Sequence, residues 1–266
     1  MSEVMGLDVS HYQGTIDWKQ VANAGKKFVI MKCMYEAQSH RIDEQFENNY
    51  RKSWIYGISR GVYIFIGRSS INNPEADAKA LLGHLADRPL EYGIWLDYES
   101  EFLRKLSKDK LIKLTYVYAD AFRAAGYHVG IYCNKDWYDH VIPKELKSDF
   151  DFWIARYKLN DDGFYTLHSP LRPSNKGAVA WQYTSKGQVP GIKNHVDLDV
   201  DFDGIVNLIG STPYKKTDEE IAQEVLEGKW GTKNTVPNRR KLLERAGYNY
   251  KAIQKIVNDI LKKRYN

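Results

Sequence analysis

The sequence has few cysteines and no long apolar run. Cys33 and Cys133 are its only cysteines, too few for a disulfide-stapled fold, so we expect free buried thiols. No apolar stretch approaches the roughly 20 residues that a membrane helix needs, and no charged-then-apolar leader opens the chain. We therefore predict no membrane insertion and no signal peptide.

Motifs that bind common cofactors are also missing. The chain has no glycine-rich phosphate loop, no His-x-x-x-His pair and no cysteine cluster. His11 and His195 could act as bases, although isolated histidines are more often structural, and a Cys–His nucleophile is not indicated. We predict no metal and no other cofactor, which disfavours an amidase or a peptidase.

Most of the chain lacks a charge of one sign. Residues 1–210 hold 26 basic and 27 acidic side chains, whereas residues 211–266 hold 13 basic and 7 acidic ones. A basic tail can indicate nucleic acid, a membrane surface or an acidic polymer as partner. Because acids are interleaved with these bases and no docking motif is present, we predict no nucleic-acid partner.

Alternating apolar and amphipathic segments indicate the fold of residues 1–209. Apolar runs predict eight strands, at Met5–Asp8, Phe28–Lys32, Gly61–Ile66, Gly93–Asp97, Val129–Cys133, Phe152–Ala155, Ala178–Gln182 and Val196–Asp199. Helical patterns follow the Asp17 cap, cover about 43–56, start near Pro74 and fill Lys108–Ala125. Five strand–helix alternations followed by strands with short connections predict an α/β fold, a trimmed TIM-like barrel of eight strands and about five helices.

A different pattern begins after residue 209. The segment 210–216 (GSTPYKK) has the composition of a linker, and the pattern beyond it is purely helical. Thr217 and Glu220 form a capping box ahead of a first helix that breaks at Gly228, and Asn238 and Asn249 open two more. We predict a small three-helix bundle over 217–266.

Acidic residues lie at the predicted strand ends. The active site of a parallel barrel gathers at the carboxyl ends of its strands. Asp97 and Glu99 are spaced i, i+2 after a buried run, which places both on one face of a strand. Repulsion between two close carboxylates should raise one pKa and supply a general acid, as glycoside hydrolysis requires. Solvated loop acids and a metal site remain alternatives.

Two further acids occupy comparable positions. Asp8 ends the first strand, where an acid can also serve only as a cap. Asp197 is followed by Asp199, Asp201 and Asp203, a cluster that could be a calcium loop. The cluster lacks the glycine and the closing glutamate of an EF-hand, and apolar residues alternate with its acids, so we favour strand acids.

Seven ordered motifs resemble the glycoside hydrolase family 25 (Chalaropsis-type) lysozymes over about residues 4–208: GLDVSHYQGTIDW, GVYIF, WLDYE, GIYCN, FWIARY, WQYTSKGQVPGI and HVDLD. The resemblance implies a retaining muramidase that cleaves between N-acetylmuramic acid and N-acetylglucosamine, with a carboxylate or the substrate acetamido group as nucleophile. It implies Glu99 as general acid, Asp97 as its electrostatic partner, and Asp8 and Asp197 completing an acidic floor. It also implies a groove lined by Tyr63, Phe65, Tyr132, Trp153, Tyr157, Trp181 and Tyr183.

Two positions depart from the family pattern. Relatives commonly carry histidine where this chain has Ile64. They also carry an A-T-E segment after the second strand, where Glu36 stands in for the glutamate only if the alignment contains an insertion.

Residues 217–261 resemble the short cell-wall-binding repeat, CW_7, found in some phage lysozymes. That resemblance implies wall binding through Trp230, Arg239, Arg240 and Tyr248, although the two aromatics could instead form the core of the bundle. A single repeat should bind weakly, and self-association through it would offset this. Together the features predict a phage or prophage lysin that acts on peptidoglycan and leaves the host cytoplasm through a holin-type lesion. The alternative is a non-catalytic glycan-binding barrel, which has no need for a general acid.

Overall fold

The computed structural model describes residues 3–35, 40–165, 168–173, 177–202, 217–232, 234, 239–240, 243 and 248–265. The chain divides into two compact units, Met1–Pro213 and Tyr214–Asn266. The predicted linker 210–216 and Glu36 lie outside the described residues.

The first unit is built around one closed sheet. Its strands follow one another around the barrel in sequence order: β1 (Val4–Val9), β2 (Phe28–Lys32), β3 (Ser59–Phe65), β4 (Ile94–Asp97), β5 (Val129–Asn134), β6 (Asp151–Ala155), β7 (Ala180–Gly187) and β8 (Val196–Asp201). Each overlaps a predicted strand, and the largest difference is at β7, which continues to Gly187 where the predicted strand ends at Gln182. The closed barrel confirms the predicted fold class.

The direction of β8 is a finding that the sequence interpretation did not include. Strands β1 to β7 are parallel, but β8 runs antiparallel to both β7 and β1. Only residues 188–195 separate β7 from β8. A parallel connection needs a crossover of about a dozen residues or more, so this short segment can only make a hairpin.

Helices surround the barrel in its described part. They are α1 (Trp18–Asn23), α2 (Phe46–Ile55), α3 (Arg68–Asn72), α4 (Pro74–Leu85), α5 (Glu101–Arg104), α6 (Lys108–Ala124), α7 (Lys135–His140) and α8 (Lys144–Asp149). Asp17 accepts hydrogen bonds from two backbone N–H groups of α1, and Pro74 occupies the first turn of α4, as predicted. The helices that were not predicted, α3, α5, α7 and α8, have four to six residues each and are too short for a hydrophobic period.

Two apolar layers lie on the two sides of the sheet. The barrel interior is plugged by the rings of Phe28, Tyr92, Trp95 and Trp153. Gly130 makes room for this plug, because a Cβ atom there would lie 2.3 Å from the Trp95 ring. The larger outer layer packs the strands against the helices and contains both thiols, which are free and buried as expected.

The second unit contains α9 (Asp218–Leu226) and α10 (Tyr250–Tyr265). Thr217 and Glu220 form the predicted capping box at the start of α9. The buried side chains of Ile221, Val225 and Ile253 form the centre of this unit. Arg239, Arg240 and Leu243 are helical, and the rest of the helix predicted from Asn238 lies outside the described residues. In the described part of the whole chain, no helix has both the length and the apolarity to cross a membrane.

Candidate active site

Four acidic side chains meet at one rim of the barrel. Asp8 lies near the end of β1, Asp97 ends β4, and Glu99 follows two residues later. Asp197 lies near the amino end of β8, not at a carboxyl end as the sequence interpretation assumed. Because β8 is reversed, Asp197 pairs in register with Asp8 and still reaches the same rim.

Two tyrosines on neighbouring strands, Tyr63 and Tyr132, are each close enough to several of these acids to feel their charge. Burial raises the pKa of Tyr63 well above its usual value, and the charges of Asp8, Asp97 and Asp197 raise it further. Burial likewise raises the pKa of Tyr132, with contributions from Tyr157, Asp97, Glu99 and Asp8. The four acids therefore act on one cleft that these two phenols share.

The pKa of Glu99 is raised, as a general acid requires. Surrounding protein raises it, and the ammonium group of Lys32 partly offsets this effect. The expected cause was repulsion from Asp97, but burial is the cause that the structure shows. The carboxyl group that Glu99 does repel is Asp197, whose pKa rises to about 6 through burial, Glu99 and Asp161. Glu99 itself remains accessible to solvent, so a substrate can reach it.

A second carboxyl pair lies beneath the rim. Asp8 and the fully buried Asp199 lie close enough together that the charge of Asp199 raises the pKa of Asp8. Burial is the largest cause of the raised pKa of both acids, and the charge of Asp197 raises both further. Trp153 donates its indole N–H to Asp199 over 2.8 Å. Asp199 was not predicted as a site residue, although its i, i+2 spacing from Asp197 was the signal that both face inward.

The cluster of acids in β8 is a strand feature. Asp197, Asp199 and Asp201 alternate with apolar residues along the strand, and Asp201 accepts a hydrogen bond from Tyr92 at the base of the barrel over 2.9 Å. These three acids therefore line the barrel interior at successive depths, and the calcium-loop alternative is wrong for them.

Gln182 organises one side of the cleft and was not predicted as a site residue. Its amide N–H donates to Asp8 Oδ2 over 2.6 Å. Its amide oxygen accepts from the hydroxyl of Tyr132 over 2.8 Å and from that of Tyr157. The side chain is only 3% exposed, so few water molecules can replace these contacts. Its position at the end of a predicted strand was the available signal.

The predicted aromatic groove is only partly present. Tyr63, Phe65, Tyr132 and Tyr157 are half-buried and face the cleft side of the barrel. Tyr63 and Tyr132 also pack against the aromatic plug of the interior.

The other three predicted groove residues are buried. Trp153 is 2% exposed inside the barrel. Trp181 and Tyr183 point to the outer face of β7, where both pack against Tyr165. The prediction that these three side chains line the groove is therefore wrong. Strand alternation explains why Trp181 and Tyr183 are outside the groove: Gln182 faces inward, so its two neighbours on β7 must face outward.

The two isolated histidines are held by hydrogen bonds. His11 lies 3.0 Å from Asp43 through Nδ1, and His195 lies 3.2 Å from the carbonyl oxygen of Lys186. Among the described residues, the one group with ligand atoms close enough for a metal comprises His11, Asp43 and Glu44. Both of its carboxylates already accept hydrogen bonds from protein donors.

The predicted wall-binding residues of the second unit have internal contacts. Trp230 donates to Glu224 over 2.9 Å and meets the Tyr248 ring edge-on. Arg239 donates twice to the carbonyl oxygen of Gly231 and once to Gln254. Arg240 is exposed.

A barrel of this kind with carboxyl groups converging on an aromatic rim has the groups that glycoside hydrolysis requires. The model of glycosyl hydrolases family 25 matches residues 7–192, and that of the CW_7 repeat matches residues 219–261. Lysozyme M1 of Streptomyces globisporus is 26% identical over 223 residues, an alignment that covers 74% of this chain and 67% of that protein. The chain belongs to glycosyl hydrolases family 25, and it is a glycoside hydrolase of the lysozyme class, the enzymes that hydrolyse peptidoglycan.

Solved structures show the same fold. A bacterial lysozyme from Streptomyces coelicolor has a TM-score of 0.60 at 24% identity, covering 79% of this chain and 98% of that one. The catalytic domain of endolysin ply40, from a bacteriophage of Listeria monocytogenes, has a TM-score of 0.61 at 24% identity, covering 78% of this chain and 97% of that one.

Proposed function

We propose that this protein is an N-acetylmuramidase that cleaves the β-1,4 bond from N-acetylmuramic acid to N-acetylglucosamine, with Glu99 as its general acid. The observation that carries this proposal is the combination of solvent access and a raised pKa at Glu99. A carboxyl group with these properties retains its proton to a higher pH than a free glutamic acid and can deliver it to the leaving glycosidic oxygen.

The remaining acids stabilise the positive charge that develops on the sugar. Asp97 is 6% exposed and lies in register with Phe65 on one side and Tyr132 on the other. Its depth below Glu99 suits an electrostatic role toward an oxocarbenium-like transition state. Asp8 and Asp197, paired across β1 and β8, complete the acidic floor. We propose a retaining reaction in which either a carboxylate or the substrate acetamido group attacks the anomeric carbon.

Four half-buried aromatic side chains are the proposed sugar contacts. Tyr63, Phe65, Tyr132 and Tyr157 combine apolar ring surface with, in three cases, a hydroxyl group. Such rings can stack on sugar faces while the hydroxyls bind sugar oxygens.

The second unit is proposed to hold the enzyme on the wall. Arg240 is exposed, and it is proposed to bind wall carboxylates together with Arg239, Trp230 and Tyr248, which also have contacts within the unit. Self-association through this unit would raise the avidity of a single repeat. The pairing of this barrel with a CW_7 repeat supports a phage or prophage lysin, which would be made in the host cytoplasm and leave it through a holin-type lesion.

The test is digestion of purified peptidoglycan by the wild type, Glu99→Gln and Glu101→Gln, followed by reduction and mass spectrometry of the new ends. Glu101 is a matched control because it is exposed, two residues away, in the first turn of α5. We expect reduced muramic acid ends from the wild type and the control, and a roughly 10²- to 10⁴-fold slower reaction from Glu99→Gln. Reduced glucosamine ends would contradict the proposed bond, and full activity of Glu99→Gln would contradict the proposed acid. A lack of new ends from the wild type would leave a glycan-binding barrel.

A further inference from the structure

A side pocket opens beside the catalytic rim, next to β3 and β4. Its volume is about 740 Å³, and its lining includes His40, Phe65, Arg68, Ser100 and Phe102. A volume in this range can enclose a ligand the size of a short peptide. None of the proposed catalytic acids lines it.

The pocket is next to the catalytic acids in the sheet and along the chain. Phe65 lines the pocket and pairs in register with Asp97 on the neighbouring strand. Ser100 follows Glu99 directly and forms another part of the pocket wall. A substituent on a sugar bound beside Glu99 would therefore lie on the side of the barrel where the pocket opens.

Arg68 provides the charge that is available in the pocket. Its guanidinium group is exposed and lies 5.4 Å from the centre of the Phe102 ring. Among the described residues, no carboxylate lies within salt-bridge distance of Arg68. The stacking contact holds one face of the guanidinium group and leaves its N–H edge available for a planar anion.

The acid in the pocket lining is already engaged. Asp77 is 2% exposed, and its two oxygens accept from His40 Nε2 over 2.5 Å and from the Tyr118 hydroxyl over 3.0 Å. Its charge is therefore directed into the wall, so it does not compete with a ligand for Arg68. The pocket has an excess of accessible positive charge and suits a carboxylate.

We propose that this side pocket binds the carboxylate-bearing branch of muramic acid through Arg68, an inference that rests on the muramidase function proposed above. The volume of the pocket favours the stem peptide, whose carboxylates lie several atoms from the sugar ring. The lactyl carboxylate exposed in peptide-free strands has the same chemistry. A paired guanidinium–carboxylate contact would select branched strands and fix the register of the glycan over Glu99.

The test compares kcat/KM for the wild type, Arg68→Gln and Arg51→Gln on three glycan preparations. These are strands with stem peptides, peptide-free strands with a free lactyl carboxylate, and peptide-free strands whose lactyl group has been converted to an amide. Arg51 is a matched control because it is an exposed arginine on α2 that does not line the pocket. Phe102→Ala is a second variant that removes the stacking partner of Arg68.

We expect Arg68→Gln to lower kcat/KM roughly 5- to 30-fold on peptide-bearing strands, with little change on the amide preparation. Phe102→Ala should reproduce part of this loss, and Arg51→Gln none of it. A loss confined to the free lactyl preparation would assign Arg68 to the lactyl carboxylate. An equal effect of Arg68→Gln on all three preparations, or no effect on any, would overturn the proposal. Absence of cleavage by the wild type would instead refute the muramidase function itself.

Discussion

Gln182 provides the sharpest test of how the cleft is organised. Substitution with methionine keeps the length and approximate volume of the side chain but removes its hydrogen-bonding groups. Asp8 then loses a donor 2.6 Å away, and the hydroxyls of Tyr132 and Tyr157 lose their shared acceptor. The hydrogen bond from Gln182 lowers the pKa of Asp8, so its removal should raise that pKa further.

The magnitude follows from the kind of hydrogen bond that is lost. A hydrogen bond to a charged group contributes about 1.5–3 kcal/mol. If Asp8 serves the transition state in its ionised form, Gln182→Met should lower kcat roughly 10- to 150-fold and move the acid limb of the pH profile to higher pH. Because few water molecules can replace the contacts of Gln182 with the two tyrosine hydroxyls, we expect a loss of unfolding free energy of about 1–3 kcal/mol.

The assay is reducing-end release from purified peptidoglycan across pH, combined with thermal unfolding. Asn49→Leu is the matched control because Asn49 is a buried amide, 1% exposed, that accepts a hydrogen bond from Trp18 Nε1 over 3.2 Å in the outer layer. It should lower stability to a similar extent with kcat unchanged. A folded Gln182→Met variant with kcat within about twofold of the wild type and the same pH profile would refute the reasoning.

Three further predictions concern charge and burial. Lys32→Met should raise the pKa of Glu99, because Lys32 favours its ionised form; the alkaline limb of the kcat profile should then move to higher pH, and a downward shift would contradict this. Asp199→Asn should raise the thermal midpoint by about 2–6 °C at pH 7, with a smaller gain near pH 4. The pKa of Asp199 is raised in the folded protein, so the folded protein keeps a proton that the unfolded chain releases. The stability of the wild type therefore falls as the pH rises above the unfolded pKa of 3.8, and the neutral amide avoids this loss. Trp181→Ala should lower the free energy of unfolding by about 3–5 kcal/mol without changing KM. Phe65→Ala should raise KM with a smaller loss of stability. A raised KM for Trp181→Ala with little loss of stability would show that Trp181 lines the groove after all.

Much of the architecture could be predicted because its determinants are local. Apolar runs mark all eight strands, and side-chain caps such as Asp17 and Thr217 mark helix starts within a residue. Alternation along β8 correctly sets Asp197 and Asp199 on the inner face. Single-turn helices such as α5 were missed because four residues contain no hydrophobic period.

The groove residues show where local pattern stops being informative. Trp181 and Tyr183 belong to a motif shared with the family, and their ring chemistry suits sugar. Both side chains point outward because Gln182, which lies between them on β7, points into the barrel. A sequence pattern identifies alternate faces of a strand, but the closed sheet decides which face is interior.

The sequence by itself indicated the strand positions and the helix caps, because these depend on neighbours a few positions apart. Its motifs indicated the family, and the resemblance implied the four rim acids. Tertiary structure decided which acids lie together and which aromatic side chains are buried away from the cleft. The reversal of β8 pairs Asp197 with Asp8, and barrel closure brings Gln182 to Asp8 across 174 positions of sequence. These contacts arise only when the last strand completes the barrel, since no local interaction along the chain specifies them.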